Sequence, residues 1–265
     1  MNTPEALPVF SALLYAVTFL LLLKQILTNR STHLLTLIFL MATCVHGLSL
    51  ILTLPTHHQV HLSLAQAVSI IAWIMAVICG FALLAKLAVH NIALIALPLI
   101  ALAALLTHQT DAALPANDVQ SLKLLLHIAL SMVAYGSIIL AAVQAVLLLI
   151  QINQLKSHHP HTFFKHLPAL QTMETLLFQL VFFGTLTLLA SILTGLFFLD
   201  DVFAKPHIHK TLLSLIALGV FSTLLIGHHL HGWRGKQASY WTLSGFFILV
   251  LAYFGVRIIL HMLYE

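Results

Sequence analysis

The sequence is short of charged side chains. Of its 265 residues, 7% are Asp, Glu, Lys or Arg, whereas a soluble globular domain carries about 25%. With so few charges the chain cannot cover a surface that faces water. This scarcity excludes a soluble enzyme, a disordered regulator and a nucleic-acid-binding domain as descriptions of the chain.

Cysteine is nearly absent as well. The two cysteines, Cys44 and Cys79, both lie inside apolar runs, and neither belongs to a CxxC pair. The sequence therefore indicates neither a disulfide framework nor a zinc site.

Apolar residues dominate the chain, at 61% of the sequence, and the mean hydropathy is +1.05. A transmembrane helix needs about 20 mostly apolar residues, and eight segments meet this requirement, although the fourth is short. The segments span residues 7–28, 34–54, 65–87, 90–107, 121–152, 170–198, 210–230 and 239–262. We therefore predict an all-α integral membrane protein, a bundle of about eight transmembrane helices in one polytopic domain over residues 1–265.

The distribution of basic residues among the connections predicts the orientation. If the amino terminus lies outside, the inner connections hold more Lys and Arg than the outer ones. The inner set is Lys24, Arg30, Lys86, Lys156, Lys165, Arg234 and Lys236, and the outer set is Lys123, Lys205, Lys210 and Arg257. Because cytoplasmic loops carry an excess of basic residues, both termini are predicted to lie outside.

Histidine is unusually common, with 18 residues against 11 Lys and Arg together. Ionisable residues inside membrane segments are costly and point to function. His46 in the second segment and His127 in the fifth lie at a similar predicted depth, roughly 10 Å below the outer surface by the helical rise per residue. A bis-histidine haem requires two neutral imidazoles at matched depth on different helices. The alternative is that each histidine hydrogen-bonds a carbonyl, a serine or a threonine in the bundle.

The second half of the sequence contains several short motifs in a characteristic order. They are HIALSMVAYG at 127–136, LPAL at 167–170 followed by Glu174, LTGL at 193–196, GWRGK at 232–236, SGFF at 244–247 and AYFGV at 252–256. In this order they resemble the CcsA/HemX-like cytochrome c assembly superfamily, and most of all its YpjD-type inner-membrane proteins. The resemblance is strongest over residues 120–262. The first 120 residues match mainly in the pattern of spans and in the histidine of the second segment.

This resemblance implies roles in haem binding for several histidines. His127 matches the outer haem ligand that the cytochrome c synthases of the superfamily carry on helix five. The synthases pair that ligand with a histidine just past the last helix, and His261 is its possible counterpart, about one helical turn too early. His228 is similar in place to a synthase histidine that binds haem at the inner end of the penultimate helix. We therefore expect haem b inside the bundle, with iron held by His127 and by His46 or His261.

The sequence departs from the synthases in the segment that presents haem to apocytochrome. That segment is rich in tryptophan in the synthases, whereas residues 197–207 contain none here. We therefore expect the protein to bind, sense or use haem rather than attach it to cytochrome c. Two alternatives stay open: a haem lyase component that acts with a separate partner, and a cofactor-free regulatory or assembly subunit.

Further expectations concern charged residues and partners. Lys210, Lys123 and Arg257 lie near the predicted outer surface, where a cation can pair with haem propionates. The alternative for each is ordinary snorkelling at the membrane interface. Besides haem, the expected partners are the lipid bilayer of a bacterial inner membrane and another membrane protein or a second copy of this chain, with no nucleic acid.

Reporter fusions test the predicted orientation. A reporter fused after Asn153 should be active as a cytoplasmic reporter, and one fused after Asp201 should be active as a periplasmic reporter. The reverse pattern would refute the orientation and would move the proposed haem to the cytoplasmic half of the bundle.

Overall fold

A computed structural model of the chain describes residues 3–28, 33–53, 63–108, 122–156, 168–198 and 208–255. Every regular element in these ranges is helical, and none of them contains a strand. The eight α-helices are α1 (Thr3–Thr28), α2 (His33–Thr53), α3 (Leu64–Leu84), α4 (His90–Leu105), α5 (Leu122–Lys156), α6 (Leu170–Phe198), α7 (Ile208–His231) and α8 (Gly235–Val250). A 3₁₀ turn at Leu106–His108 follows α4, and a π-helical turn at Leu251–Gly255 follows α8. The predicted all-α class is confirmed.

Helix lengths follow the hydropathy of the sequence. Six helices, namely α1, α2, α3, α5, α6 and α7, are long and apolar enough to cross a membrane. The fifth and sixth are the longest, at 35 and 29 residues. The predicted short fourth segment forms a helix of 16 residues. The described part of α8 also has 16 residues, and the rest of its predicted span, to residue 262, lies partly outside the described residues. Eight crossings and the location of the termini stay predictions.

Local chemistry fixes the start of α3. The Ser63 side chain accepts a hydrogen bond from the Gln66 backbone N–H at 3.1 Å, and the Gln66 side chain accepts one from the Ser63 N–H at 3.1 Å. This reciprocal capping box satisfies two backbone donors that the first turn of a helix leaves without partners.

The eight helices group into two compact units, α1–α4 and α5–α8. In the first unit, α1 packs against α2 and α4, and α3 packs against the same two helices. In the second unit, α5 packs along α6 and α8, and α7 packs against α6 and α8. The prediction of a single membrane domain over residues 1–265 stays a prediction.

Glycine makes room for an aromatic ring where α7 meets α8. A Cβ atom added at Gly245 would lie 2.6 Å from Cζ of Phe221, well inside van der Waals contact. Phe221 is fully buried, so its ring has little room to move away. By contrast, a Cβ atom added at Gly219 on α7 would meet no atom within 4 Å.

Alanine substitutions at these two glycines test the packing of α7 on α8. Both substitutions gain the same helix propensity, about 1 kcal/mol over glycine. Only Gly245→Ala forces a clash with Phe221, and such overpacking costs about 1–3 kcal/mol. We therefore expect Gly245→Ala to be less stable than Gly219→Ala by about that amount in unfolding experiments in detergent. Equal stability of the two variants would contradict this packing.

Candidate functional site

His127 lies near the start of α5, where its ring contacts α6. Its Nδ1 atom is 2.8 Å from the backbone carbonyl oxygen of Ser191. Because a carbonyl can only accept, Nδ1 must carry a proton, and in the neutral imidazole Nε2 then carries the lone pair. No described residue forms a hydrogen bond with Nε2. The partly buried imidazole therefore keeps one nitrogen lone pair for a further partner.

Three hydroxyl groups surround this contact, and the direction of each bond can be assigned. The Ser131 hydroxyl donates to the carbonyl of His127 at 2.8 Å and lies 2.6 Å from Oγ of Ser191. A hydroxyl has one hydrogen, so Ser191 is the donor in the second bond. The Thr194 hydroxyl donates to the Ser191 carbonyl at 2.8 Å, the same oxygen that accepts from His127. These directions leave the proton of His127 on Nδ1.

Gly195 has no side chain, and this leaves the space that the His127 ring occupies. A Cβ atom added at Gly195 would lie 3.0 Å from Cε1 and 3.2 Å from Nδ1 of His127. Real Cβ contacts are rarely so close, so a larger residue at this position would require the ring to shift by a few tenths of an ångström. The LTGL motif of the sequence thus supplies the surface on which the imidazole rests.

His228 shows the same arrangement near the end of α7. Its Nδ1 atom donates to the carbonyl oxygen of Trp233 at 2.9 Å, so that in the neutral imidazole the lone pair is again on Nε2. No partner for this Nε2 exists in the part of the chain that the structure describes. The ring stacks on Phe178 of α6, with ring centroids 3.6 Å apart. Two histidines of the second unit therefore present a nitrogen lone pair.

A tight turn at the end of α7 brings the Trp233 carbonyl to His228. Gly232 adopts φ +66°, and its N–H donates to the His228 carbonyl at 3.1 Å. Such a left-handed glycine commonly ends a helix because it has no Cβ atom to clash. The indole of Trp233 then folds onto Gly227, where an added Cβ atom would lie 2.4 Å from the ring. The GWRGK motif thus forms a turn that closes over the last turn of α7.

His46 is chemically different, because hydroxyl groups contact both of its ring nitrogens. It is fully buried in the first unit, with Nε2 at 3.0 Å from Oγ of Ser69 and Nδ1 at 3.4 Å from the Tyr15 hydroxyl. Oγ of Ser69 is 2.8 Å from Oγ1 of Thr107, and the Thr107 hydroxyl donates to the carbonyl of Ala104 at 2.6 Å.

The directions of these bonds follow from that last donor. Since the Thr107 hydrogen goes to a carbonyl, the Ser69 hydroxyl must donate to Thr107, and Nε2 of His46 must donate to Ser69. The lone pair of His46 is therefore on Nδ1, where it faces Tyr15. His46 and His127 are opposite tautomers, and of these two histidines it is His127 whose lone pair has no partner among the described residues.

The remaining predicted site residues are less informative. His261 and Arg257 lie outside the described residues. Lys210 is an exposed residue in the first turn of α7, and Lys123 lies over the ring of Phe198 at 5.2 Å. No group of three or more His, Cys, Asp or Glu residues that could hold a metal ion occurs in the described ranges.

Sequence reasoning missed the residues that orient the histidines. Ser191 acts on His127 through its backbone carbonyl, and no side-chain pattern marks such a role. The signal that was available is the run of small and hydroxyl residues in an apolar helix, Ser191, Thr194 and Gly195. Small and hydroxyl residues are enriched where membrane helices approach each other closely.

These features define a helical membrane-type protein in which backbone carbonyls orient two histidines, His127 and His228, of long apolar helices. A profile of the family described as Cytochrome C assembly protein matches residues 32–263. The chain therefore belongs to the cytochrome c assembly protein family, and the resemblance seen in the sequence motifs is confirmed.

Similar curated proteins support the same relationship. The inner membrane protein YpjD of Escherichia coli strain K12 is 37% identical over 136 residues, which are 51% of this chain and 51% of that protein. An uncharacterized 28.8 kDa protein of Azospirillum brasilense is 32% identical over 141 residues, 52% of each chain. Protein HemX of Brevibacillus brevis is 27% identical over 134 residues, 50% of this chain and 49% of HemX. The chain thus spans about half the length of the curated relatives it matches.

The hydrogen-bonded chain at His46 predicts a stability effect. Ser69→Ala removes the acceptor of His46 and the donor to Thr107, and should lower the free energy of unfolding by about 1–2 kcal/mol. Ser11→Ala is the matched control, because Ser11 is equally buried and bonds only the Pro8 carbonyl of its own helix. Unfolding in detergent measures both variants. An equal, small loss in the two would mean that the bonds at His46 contribute little to stability.

Proposed function

We propose that this chain is a multi-pass protein of a bacterial inner membrane that binds haem b inside its helical bundle. In this proposal His127 is an axial ligand, and the haem is handled, sensed or used for electron transfer. The single observation that carries the proposal is the geometry of His127. Its Nδ1–H is held by the Ser191 carbonyl, and its Nε2 has no partner among the described residues.

The chemistry of this site fits a haem ligand. Metal-binding histidines donate their second ring N–H to a carbonyl or carboxylate, which fixes the tautomer and raises the basicity of the ligating nitrogen. Proximal histidines hold haem iron through a neutral imidazole of this kind. Bound haem would supply a redox-active iron. The protein's own contribution is to orient the ring through Ser191 and to leave it space at Gly195.

Family membership and the named relatives support the location and the cofactor class. The description of the family names the assembly of cytochrome c, and cytochrome c is a haem protein. The relative YpjD is named an inner membrane protein. Six described helices are long and apolar enough to cross a bilayer. On these grounds we propose a bacterial inner-membrane location with lipid as the surrounding partner. Eight crossings and both termini outside are proposed from the apolar segments and the basic residues of the sequence.

The second axial ligand is a choice between His46 and His261. His46 can ligate iron only if the Tyr15 hydroxyl releases Nδ1 or if the ring breaks its bond to Ser69. His261 follows α8, outside the described residues, and its predicted place is near the outer surface. Substituting each histidine in turn decides between them.

His228 is a second position for haem in this proposal, because its Nε2 lone pair is also without a partner in the described part of the chain. Lys210 and Arg257 are proposed to pair with haem propionates.

Covalent attachment of haem to a cytochrome is not part of the proposal, since residues 197–207 contain no tryptophan to form an indole platform for the porphyrin. A role together with another membrane protein or a second copy of the chain is compatible with it.

Optical spectroscopy of the purified protein tests the haem proposal. We expect a low-spin bis-histidine spectrum, and His127→Ala should abolish the Soret band of the haem that it ligates or convert that iron to high spin, because one axial nitrogen is lost. His229→Ala is the control. It removes an exposed histidine in the last turn of α7 and should leave the spectrum unchanged.

Two results would contradict the proposal. An unchanged low-spin spectrum of His127→Ala would exclude His127 as a ligand. Absence of any haem spectrum, even after haemin is added, would favour the cofactor-free regulatory or assembly subunit.

A further inference from the structure

Glu174 is an acidic residue inside a predominantly apolar helix, and the haem proposal gives it no role. It lies in the second turn of α6, and its Oε1 atom accepts a hydrogen bond from the backbone N–H of Gly235 at 2.7 Å. Gly235 is the first residue of α8. The carboxylate therefore satisfies a backbone donor at a helix amino terminus, where negative charge is also favoured by the helix dipole.

The backbone between α7 and α8 depends on this anchor. Two glycines in left-handed conformations, Gly232 at φ +66° and Gly235 at φ +55°, bracket Trp233 and Arg234. Arg234 precedes α8 in an extended conformation, and its side chain forms no capping hydrogen bond. The carboxylate of Glu174, on a different helix, thus holds the start of α8.

The same turn carries the carbonyl that orients His228. Trp233 O accepts from Nδ1 of His228 at 2.9 Å, and the Trp233 N–H donates to the Gly227 carbonyl at 3.2 Å. Only Arg234 separates this carbonyl from the N–H that Glu174 holds. If the anchor is lost, the turn can move away from α7, and the Nδ1 atom of His228 loses its fixed acceptor.

We propose that Glu174 is a positioning residue for His228: through Gly235 it holds the turn at residues 232–235 closed, so that the Trp233 carbonyl keeps the His228 proton on Nδ1 and the lone pair on Nε2. Glu174 itself touches neither the imidazole nor a cofactor in this proposal. The inference concerns the same histidine for which haem binding is proposed, and it rests on the proposed function only for what His228 then binds.

Two conservative variants separate the hydrogen bond from the charge. Glu174→Gln keeps an oxygen at the same reach from the Gly235 N–H but removes the charge. Glu174→Asp keeps the charge but withdraws the oxygen by one methylene, about 1.5 Å. Glu174→Ala removes both. Thr175→Val is the neighbouring control, since the exposed Thr175 hydroxyl bonds only the Gln171 carbonyl of its own helix.

The measurement is the rate at which diethylpyrocarbonate modifies His228 in protein without added haemin, read by mass spectrometry of the His228 peptide. This reagent acylates the unprotonated nitrogen of a neutral imidazole, here Nε2, so the rate rises when opening of the turn makes that nitrogen more accessible. We expect Glu174→Ala and Glu174→Asp to raise the rate at His228 by threefold or more. Glu174→Gln and Thr175→Val should stay within twofold of the unmodified sequence. The rate at His127, on the contact of α5 with α6, should not change in any of them.

Three results would overturn the inference. One is an unchanged rate in Glu174→Asp and Glu174→Ala, and another is a raised rate in Glu174→Gln with a normal rate in Glu174→Asp. The third is an equal rise at His127, which would indicate general loosening. If Glu174→Ala does not fold, the comparison of the Gln and Asp variants decides alone. The modification rates are measured without haemin. If the protein fails to bind haem in the spectroscopic experiment, the proposed function is refuted, but the rates measured at His228 still test the role of Glu174.

Discussion

A hydrogen bond from imidazole Nδ1 to a backbone carbonyl governs what the histidines of the second unit can do. In a membrane interior every polar group needs a partner inside the protein, and the kind of partner decides where the ring proton sits. A carbonyl has no hydrogen to give, so it selects one of the two tautomers of the neutral imidazole, with the proton on Nδ1 and the lone pair on Nε2. His127 and His228 both meet this condition, through Ser191 and Trp233.

Glycine is the second requirement of the same arrangement, because a ring reaches a backbone carbonyl only where the helices leave it room. Gly195 leaves space for the His127 ring, and Gly227 leaves space for the indole of Trp233, whose carbonyl meets His228. The hydrogen bonds and the close packing are therefore not separate features of α5–α8. A methyl group at Gly227 would clash with the indole of Trp233, and one at Gly195 would require the His127 ring to shift by a few tenths of an ångström.

Hydropathy predicted the helices well, because each one is a long apolar run whose backbone bonds close within the segment. The start of α8 was predicted at residue 239, whereas the helix begins at Gly235. The first turn of α8 contains polar residues, so the apolar pattern did not include it. The carboxylate of Glu174, 61 residues earlier, accepts the hydrogen bond of its first N–H. Long-range contacts of this kind leave no periodic signal in the local sequence.

The candidate site was predictable in part. His127 and His46 stood out because they are ionisable residues in apolar segments, and their matched depth suggested that both ligate one haem iron. Their chemistry differs because their partners differ: a carbonyl of α6 for His127, and the hydroxyl groups of Ser69 and Tyr15 for His46. Which residue faces a ring depends on the register of a neighbouring helix, and one sequence does not contain that register.

The contrast between these two histidines favours a ligand role for His127 over a purely structural one. A structural histidine in an apolar bundle is most stable when both nitrogens have partners, since a buried polar atom left without one costs about 1–3 kcal/mol. His46 meets that requirement with its two hydroxyl neighbours. At His127 the Ser191 carbonyl and the Thr194 hydroxyl lie 2.8 Å and 3.5 Å from Nδ1, and Nε2 of the partly buried ring has no partner among the described residues. A carbonyl that fixes Nδ1–H and an Nε2 without a partner are the arrangement expected where Nε2 binds a metal, and the proposal of haem ligation by His127 depends on this arrangement.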